Sequence, residues 1–507
     1  MIRHAKLFAA AAVLTAAWAM TPALAQKSAD TLRAVNYTQV PDITPYYNQI
    51  RDGIVISHHA WDGLVYRDPD TFAIKPLLAT SWKYVDDTTL EFTLRKGVKF
   101  HDGSPFSADD VVYTFNSILT DKLLSVPSNY SWMQGAEKVD DFTVRVKLKR
   151  IFPAAIEYIA MVLPVMPKAY RERVGVEAYS KAPIGAGPYK ITKVDGVSQI
   201  EFERYEDYYA DSPKPKPAIR KLILREVTDS TTAMNELLGG KADWTWNFIP
   251  DNFENVARMP NLNAIWGEAM RVNYMSLDVA GRTGADNPLT KVKVRQAIAH
   301  AINRAEMAKN LMKGGSRQID TPCFPTQFGC DQAAAVRYDF DPAKAKALLA
   351  EAGYPNGFET ELVTFLLPQF GAAVQNYLAA VGIKAKISQL QVSALIQRGI
   401  EGTLPMSLTN WGSYSINDAS AFLPAIVNGG SQDHIRNPDL QKLVEAGGSS
   451  INPDDRRKNY SAAIKMMTEN VYMLPLFNSV VTYGVSKQLN FKSYPDELPR
   501  FYMATWK

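Results

Sequence analysis

The chain has little of what enzymes and metal proteins work with. Its 507 residues include 2 cysteines and 6 histidines, and beyond His4 the histidines (His58, His59, His101, His300 and His434) show no ligand spacing. Adjacent His58 and His59 point apart on a strand or a helix, so they do not share a metal. No G-x-S-x-G elbow, Walker loop, H-E-x-x-H helix or G-x-G-x-x-G turn occurs. Those absences exclude the enzyme classes that such motifs define. Charge of one sign is also lacking. Taking Arg3 and Lys6 away from the 56 basic side chains leaves 54 against 52 acidic ones, which points to neither nucleic acid nor an anionic membrane. The apolar run from Leu7 to Met20 falls short of the ~20 residues of a membrane span.

What is present at the start is an export signal. Arg3, His4 and Lys6 precede that apolar run, and Ala23-Leu24-Ala25 is a small-x-small cleavage site. Residues 1–25 are therefore expected to be removed. No cysteine stands at the cleavage site, which predicts a free periplasmic protein of a Gram-negative cell rather than a lipid-anchored one. The remaining ~480 residues exceed what one core supports, so two or more lobes are expected. In an exported chain Cys323 and Cys330, within TPCFPTQFGCD, read as a disulfide, since a metal site would need more ligands than this loop offers. Closing so short a loop stabilises by roughly 2–3 kcal/mol at most, so its expected role is to fix local shape.

The stretch from Ala79 to Ile118 is dense in turn and cap chemistry. Leu90, Phe92 and Leu94 alternate as in a half-buried strand, Asp102-Gly103 turns the chain, and Ser107 with Asp110 forms a capping box. Val111, Val112, Phe115 and Ile118 follow at helical spacing. Here the segment FTLRKGVKFHDGSPFSADDVVYTF resembles the large extracytoplasmic solute-binding proteins of ABC importers, family 5, the peptide, nickel and opine class. GAGPYK (185–190), VRQAIAHAINR (294–304) and AKALLAEAGYPNGF (345–358) continue the resemblance in order. Trp61-Asp62-Gly63-Leu64 resembles the family's YEGL, with Trp61 and Asp62 where Tyr and Glu are commoner.

Further along, Asp229 is placed to cap a helix ended by Gly239-Gly240, and Asp341, Pro342 and Gly353 bracket another. Leu362–Leu366, a helix over 372–381, and alternating Ile383, Ala385 and Ile387 make a β-α-β unit, hence parallel strands and an α/β lobe. The resemblance implies an α/β, periplasmic-binding-protein-like fold with two lobes joined by a two-crossing hinge. Lobe I is expected over 26–270, carrying an inserted subdomain near 57–180. Lobe II is expected over 271–480, with 481–507 returning to lobe I.

The resemblance also implies a function: capture of a short peptide or a peptide-like or opine-like solute by lobe closure, and delivery to a membrane permease. Such a receptor is monomeric, needs no cofactor, binds no nucleic acid and performs no covalent chemistry. An oligosaccharide or a nickel chelate are the alternative ligands. From other classes, a secreted hydrolase would have to use Ser413 or Ser415, and a signalling or chaperone role would use the same fold.

For the site, Trp411 matches a cavity-lining tryptophan of the family. In dipeptide binders an Asp three residues later holds the ligand's ammonium; here that position is Tyr414. A buried ammonium without a carboxylate costs several kcal/mol. Asp418 is therefore open to two readings, a replacement carboxylate or a helix N-cap. Tyr414, Ser415 and Asn417 offer neutral donors and acceptors. Trp244 and Trp246, two apart, share one strand face and form either a stacking wall or core. Asn36, Tyr37, Arg271, Asn273 and Tyr274 complete the candidates, at the strand end and crossing where the family's ligands sit.

Overall fold

Strand β1 (Thr31–Asn36) opens the ordered chain, with Leu32 and Ala34 facing inward as their alternation predicts. The structure, a computed structural model, describes residues 30–36, 40, 42–196 and 198–507; residues 1–25, expected to be an export signal, and Tyr37 lie outside the described residues. After a helix at Arg51–Ala60 comes a hairpin of β2 (Val65–Arg67) and β3 (Ile74–Pro76). Strands β4 (Ala79–Asp86), β5 (Thr89–Leu94), β6 (Met133–Asp140) and β7 (Thr143–Leu148) then form an antiparallel sheet in the order β4-β5-β7-β6. Leu90, Phe92 and Leu94 are buried. The helix Ala108–Thr120 carries the expected capping box: Ser107 Oγ accepts from Asp109 N at 3.3 Å, and Asp110 Oδ2 accepts from Ser107 N at 2.9 Å.

The GAGPYK segment fastens this subdomain to the rest. A Cβ added at Gly185 would lie 2.2 Å from Ala60 O, and one at Gly187 2.6 Å from Ala60 C, so backbone meets backbone where only glycine fits. His101 bridges the two glycines, accepting at Nδ1 from Gly185 N (3.1 Å) and donating from Nε2 to Gly187 O (3.0 Å). Burial holds the ring's pKa down at about 4, so it is neutral and purely structural.

The main sheet adds β8 (Tyr189–Asp195), β9 (Gln199–Arg204), β10 (Lys221–Glu226), β11 (Trp244–Trp246), β12 (Leu262–Leu277), β13 (Glu359–Thr364), β14 (Lys384–Gln389), β15 (Met406–Trp411) and β16 (Met473–Ser486). Its order is β14-β13-β15-β12-β16-β11-β1-β10-β9-β8. β1 is parallel to β10 and β11, and β13 is parallel to β14 and β15, the latter pairings containing the predicted β-α-β unit. Strands β12 and β16 run through both halves. Residues Leu262–Glu268 pair with Val480–Ser486, and Val272–Ser276 pair with Met473–Asn478, with a register shift between. We call the half with β1 lobe I and the half with β13 lobe II. Each has its own apolar core, around Leu32, Phe92 and Trp244 in one and around Ile298, Val374 and Leu476 in the other.

The registers bring strand ends of the two halves together. Trp246 faces Tyr483 on β16 and Trp411 faces Val272 on β12, so β1 and β11 from one side and β15 from the other all run toward the break. Open α/β sheets bind ligands beyond the carboxyl ends of their strands. Here the two sets of carboxyl ends face each other.

Candidate functional site

Beyond Trp411 the chain makes an unusual turn. Ser413, Tyr414 and Ser415 have φ of 49°, 51° and 60°, three successive left-handed residues without a glycine. Each costs roughly 1–2 kcal/mol and persists only where its surroundings over-determine it. Within the turn Ser415 N donates to Gly412 O (2.8 Å) and Ile416 N to Ser413 O (2.9 Å).

Lobe I grips this turn with charged groups. Arg51 donates to Ser415 Oγ, and Arg67 donates to Ser415 O. Glu157 Oε2 accepts from Asn417 N at 3.2 Å. Behind them lies the returning segment 496–500. Arg67 and Arg500 both pair with Asp496 (2.9 and 2.6 Å), while Arg51 and Arg271 share Glu497 (3.0 Å each). Arg271 also donates to Asn410 Oδ1 at 3.1 Å. Both guanidiniums pack close to the loop at Gly412, where a Cβ would stand 3.4 Å from the Nη2 atoms of Arg271 and Arg51.

Burial and charge oppose each other in this network. Burial alone would raise the Glu497 carboxyl, but Arg271 and Arg51 outweigh it and bring its pKa down to about 2. Asp496 is likewise held well below the carboxylate range, its burial overcome by Arg500 and Arg67. At Glu157 burial wins over Arg67 and the pKa rises. The Ser415 hydroxyl meets Arg51 and donates to Asp496 O (2.6 Å), neither of which can take its proton as a base.

On the lobe II side Asp418 is fully occupied. It caps the short turn Ala419–Ala421, accepting from Ser420 N at 2.9 Å, and Arg456 Nη2 meets both its oxygens at 2.8 and 2.9 Å. Of its two readings the N-cap is the one seen. Half-buried Trp411 packs against Phe422 (ring centroids 5.3 Å) and edge-on to Tyr414 (5.9 Å). Asn417 is half-buried, and its Oδ1 has no hydrogen-bond partner among the described residues.

The other candidates divide. Asn273 is buried within the crossing, donating to Phe477 O and Ser479 Oγ, and Tyr274 packs edge-on to Phe422 with its hydroxyl pKa pushed up to about 12 by burial. Asn36 is buried at the end of β1. Trp244 and Trp246 do share a face, with centroids 5.6 Å apart, but at 1% and 2% exposure they sit in the lobe I core beside Tyr483, Phe491 and Phe501. The Arg51, Arg67, Glu157, Asp496, Glu497 and Arg500 network went unpredicted. Its trace in the sequence is PDELPR, an acidic pair between prolines near the end of the chain. Among the described residues no cluster of potential metal ligands occurs, and no helix is long and apolar enough to cross a membrane.

Two sheet halves spanned by two strands, with strand ends and a charged network meeting between them, define a two-lobed solute-binding architecture. The chain belongs to the bacterial extracellular solute-binding proteins, family 5, whose profile matches residues 73–433. It is similar to di/tripeptide-binding protein 1 of Pseudomonas aeruginosa, 27% identical over 471 residues that cover 85% of each chain. It is also similar to the glutathione-binding protein GsiB of Salmonella choleraesuis, 29% identical over 392 residues, 75% of this chain and 73% of that one. Among solved structures, HbpA2 from Haemophilus parasuis superposes with a TM-score of 0.80 at 25% identity, covering 94% of this chain and 100% of its own. The first two of these are binding proteins by name.

Proposed function

We propose that the chain is a periplasmic receptor of an ABC importer that captures a short peptide-like or opine-like solute lacking a free amino terminus and hands it to the permease unaltered. Residues 1–25 direct export in this reading, and the working form is a monomer. The bodies that close are 26–270 with 481–507 on one side and 271–480 on the other. Solute contacts to both would favour the closed state, and only that difference in affinity moves the equilibrium.

The observation that carries the reading is the engagement of Asp418 by Arg456 beside a loop whose other polar groups are neutral. Tyr414 stands where dipeptide binders of the family place a carboxylate, and Asp418 is not free to replace it. Trp411 and Tyr414 supply apolar walls, Asn417 Oδ1 an open acceptor, and Arg271 a partly exposed guanidinium suited to a solute carboxylate. The relatives' names, a di/tripeptide binder and a glutathione binder, support a peptide-like solute. Isothermal titration of Ala-Ala and N-acetyl-Ala-Ala tests it. The acetylated form should bind at least about tenfold more tightly, since a desolvated ammonium without its carboxylate costs more than 1.4 kcal/mol. Equal or tighter binding of the free dipeptide would sink the amine-free reading.

A further inference from the structure

The loop closed by the Cys323–Cys330 disulfide lies directly against the turn that follows Trp411. Phe328 and Asp418 form an isolated parallel bridge: Phe328 N donates to Asn417 O (3.1 Å), and Ala419 N donates to Phe328 O (2.9 Å). One residue earlier, Gln327 spans the gap with both ends of its amide. Nε2 donates to Ile416 O at 2.8 Å, while Oε1 accepts from Phe324 N at 2.8 Å inside the disulfide loop. Phe328 in turn lies under Arg456, the partner of Asp418, 4.5 Å from guanidinium to ring. Gly329, at φ 80°, brings the loop against the ring of Tyr460, where a Cβ would come within 2.4 Å.

These contacts differ from the lobe I contacts in one respect. Arg51, Arg67 and Glu157 reach the turn across the cleft, so opening of the lobes removes them. The disulfide loop belongs to lobe II and travels with the turn. The turn's own bonds, Ser415 N to Gly412 O and Ile416 N to Ser413 O, only partly offset the cost of three successive left-handed residues. In the open form, the one that first meets solute, the neighbouring residues 416–419 are held from within lobe II, the 323–330 loop holding the backbone at 416, 417 and 419 and Arg456 holding the Asp418 side chain. Preorganising a binding loop raises affinity by removing the ordering cost from the binding step.

We infer that the disulfide-closed loop 323–330, through Gln327 and the Phe328 backbone, is the positioning element that presets the solute-binding turn 411–418 in the open receptor. Gln327 and Phe328 are positioning residues that act through residues 416–419. The inference rests on that turn being where solute is held, as proposed above. The disulfide fixes the spacing of Phe324 and Phe328, and Gln327 transmits it.

Hydrogen exchange and calorimetry on the full mature chain test this with two variants, Cys323→Ala/Cys330→Ala and Gln327→Ala, the second of which keeps the disulfide. In both, amides within 411–419 should exchange about tenfold faster while those of β10 are unchanged, the pattern of a local opening. Affinity for N-acetyl-Ala-Ala should fall by a similar factor. Exchange in 411–419 that stays within about twofold of the parent in a folded variant overturns the inference. If the double-alanine chain fails to fold, Gln327→Ala decides alone. A parent protein that gives no binding heat with N-acetyl-Ala-Ala or Ala-Ala counts against the peptide-like reading, and exchange still decides the role of the loop.

Discussion

At Glu497 one carboxylate serves two guanidiniums, and among the described residues neither arginine has a second salt bridge. Glu497→Gln would leave Arg51 and Arg271 facing each other without a counter-charge. Loss of one partner from a buried pair costs about 3–5 kcal/mol, which urea unfolding would show as a lower midpoint at unchanged slope. Because the folded pKa lies below the unfolded one, this contribution is present above pH ~4.5 and disappears as pH falls through about 2. Glu226 behaves in the opposite sense. Burial, with help from neighbouring Asp52 and against the Val40 N–H, raises it to about 7. Its contribution is complete below pH ~4.5 and is lost as pH rises through about 7. Glu226→Gln should therefore melt higher than the parent at pH 8 and together with it at pH 4; a constant difference across that range would refute the assignment. Residue roles of this kind were poorly legible. Arg456 lies 38 positions beyond Asp418, and only the fold shows that the two meet while Asp418 also caps the turn after it.

Elements fared better, because their signals are local. The capping box at Ser107 and Asp110, the N-caps at Asp229 and Asp341, and the short disulfide loop each form within a few residues of chain, and each appears as expected. The pair Trp244 and Trp246 marks the limit. Spacing fixes that they share a face of β11, but not which surroundings that face meets, and they meet aromatic core. The GAGPYK segment shows the converse: a motif recognised from resemblance acquires a physical cause once Gly185 and Gly187 are seen against the Ala60 backbone. Gly187→Ala should destabilise by about 1–3 kcal/mol or more, since the obstructing atoms are backbone and cannot swing aside. A melting temperature within a degree of the parent would show that the contact relaxes.

For the whole molecule, the α/β fold and the family were legible because their carriers are long contiguous motifs, whereas the charged network between the halves is assembled from residues of the helix Arg51–Ala60, the crossing and the C-terminal segment that no window of sequence unites. A solute at ~100 times its dissociation constant should add about 2.7 kcal/mol to the native state, readable as a rise in melting temperature, and should shrink the radius of gyration in solution scattering. Stabilisation without compaction would mean that solute binds without moving the two halves. The broken ladder between β12 and β16 says how such movement is constrained. In the proposed closure two neighbouring ribbons bend across their width at the gap near Glu268–Val272, since wringing or sliding them would tear pairing above and below it. The joint thus has one soft direction, and severing either ribbon would turn it into a ball joint, leaving two intact halves no longer aimed at each other.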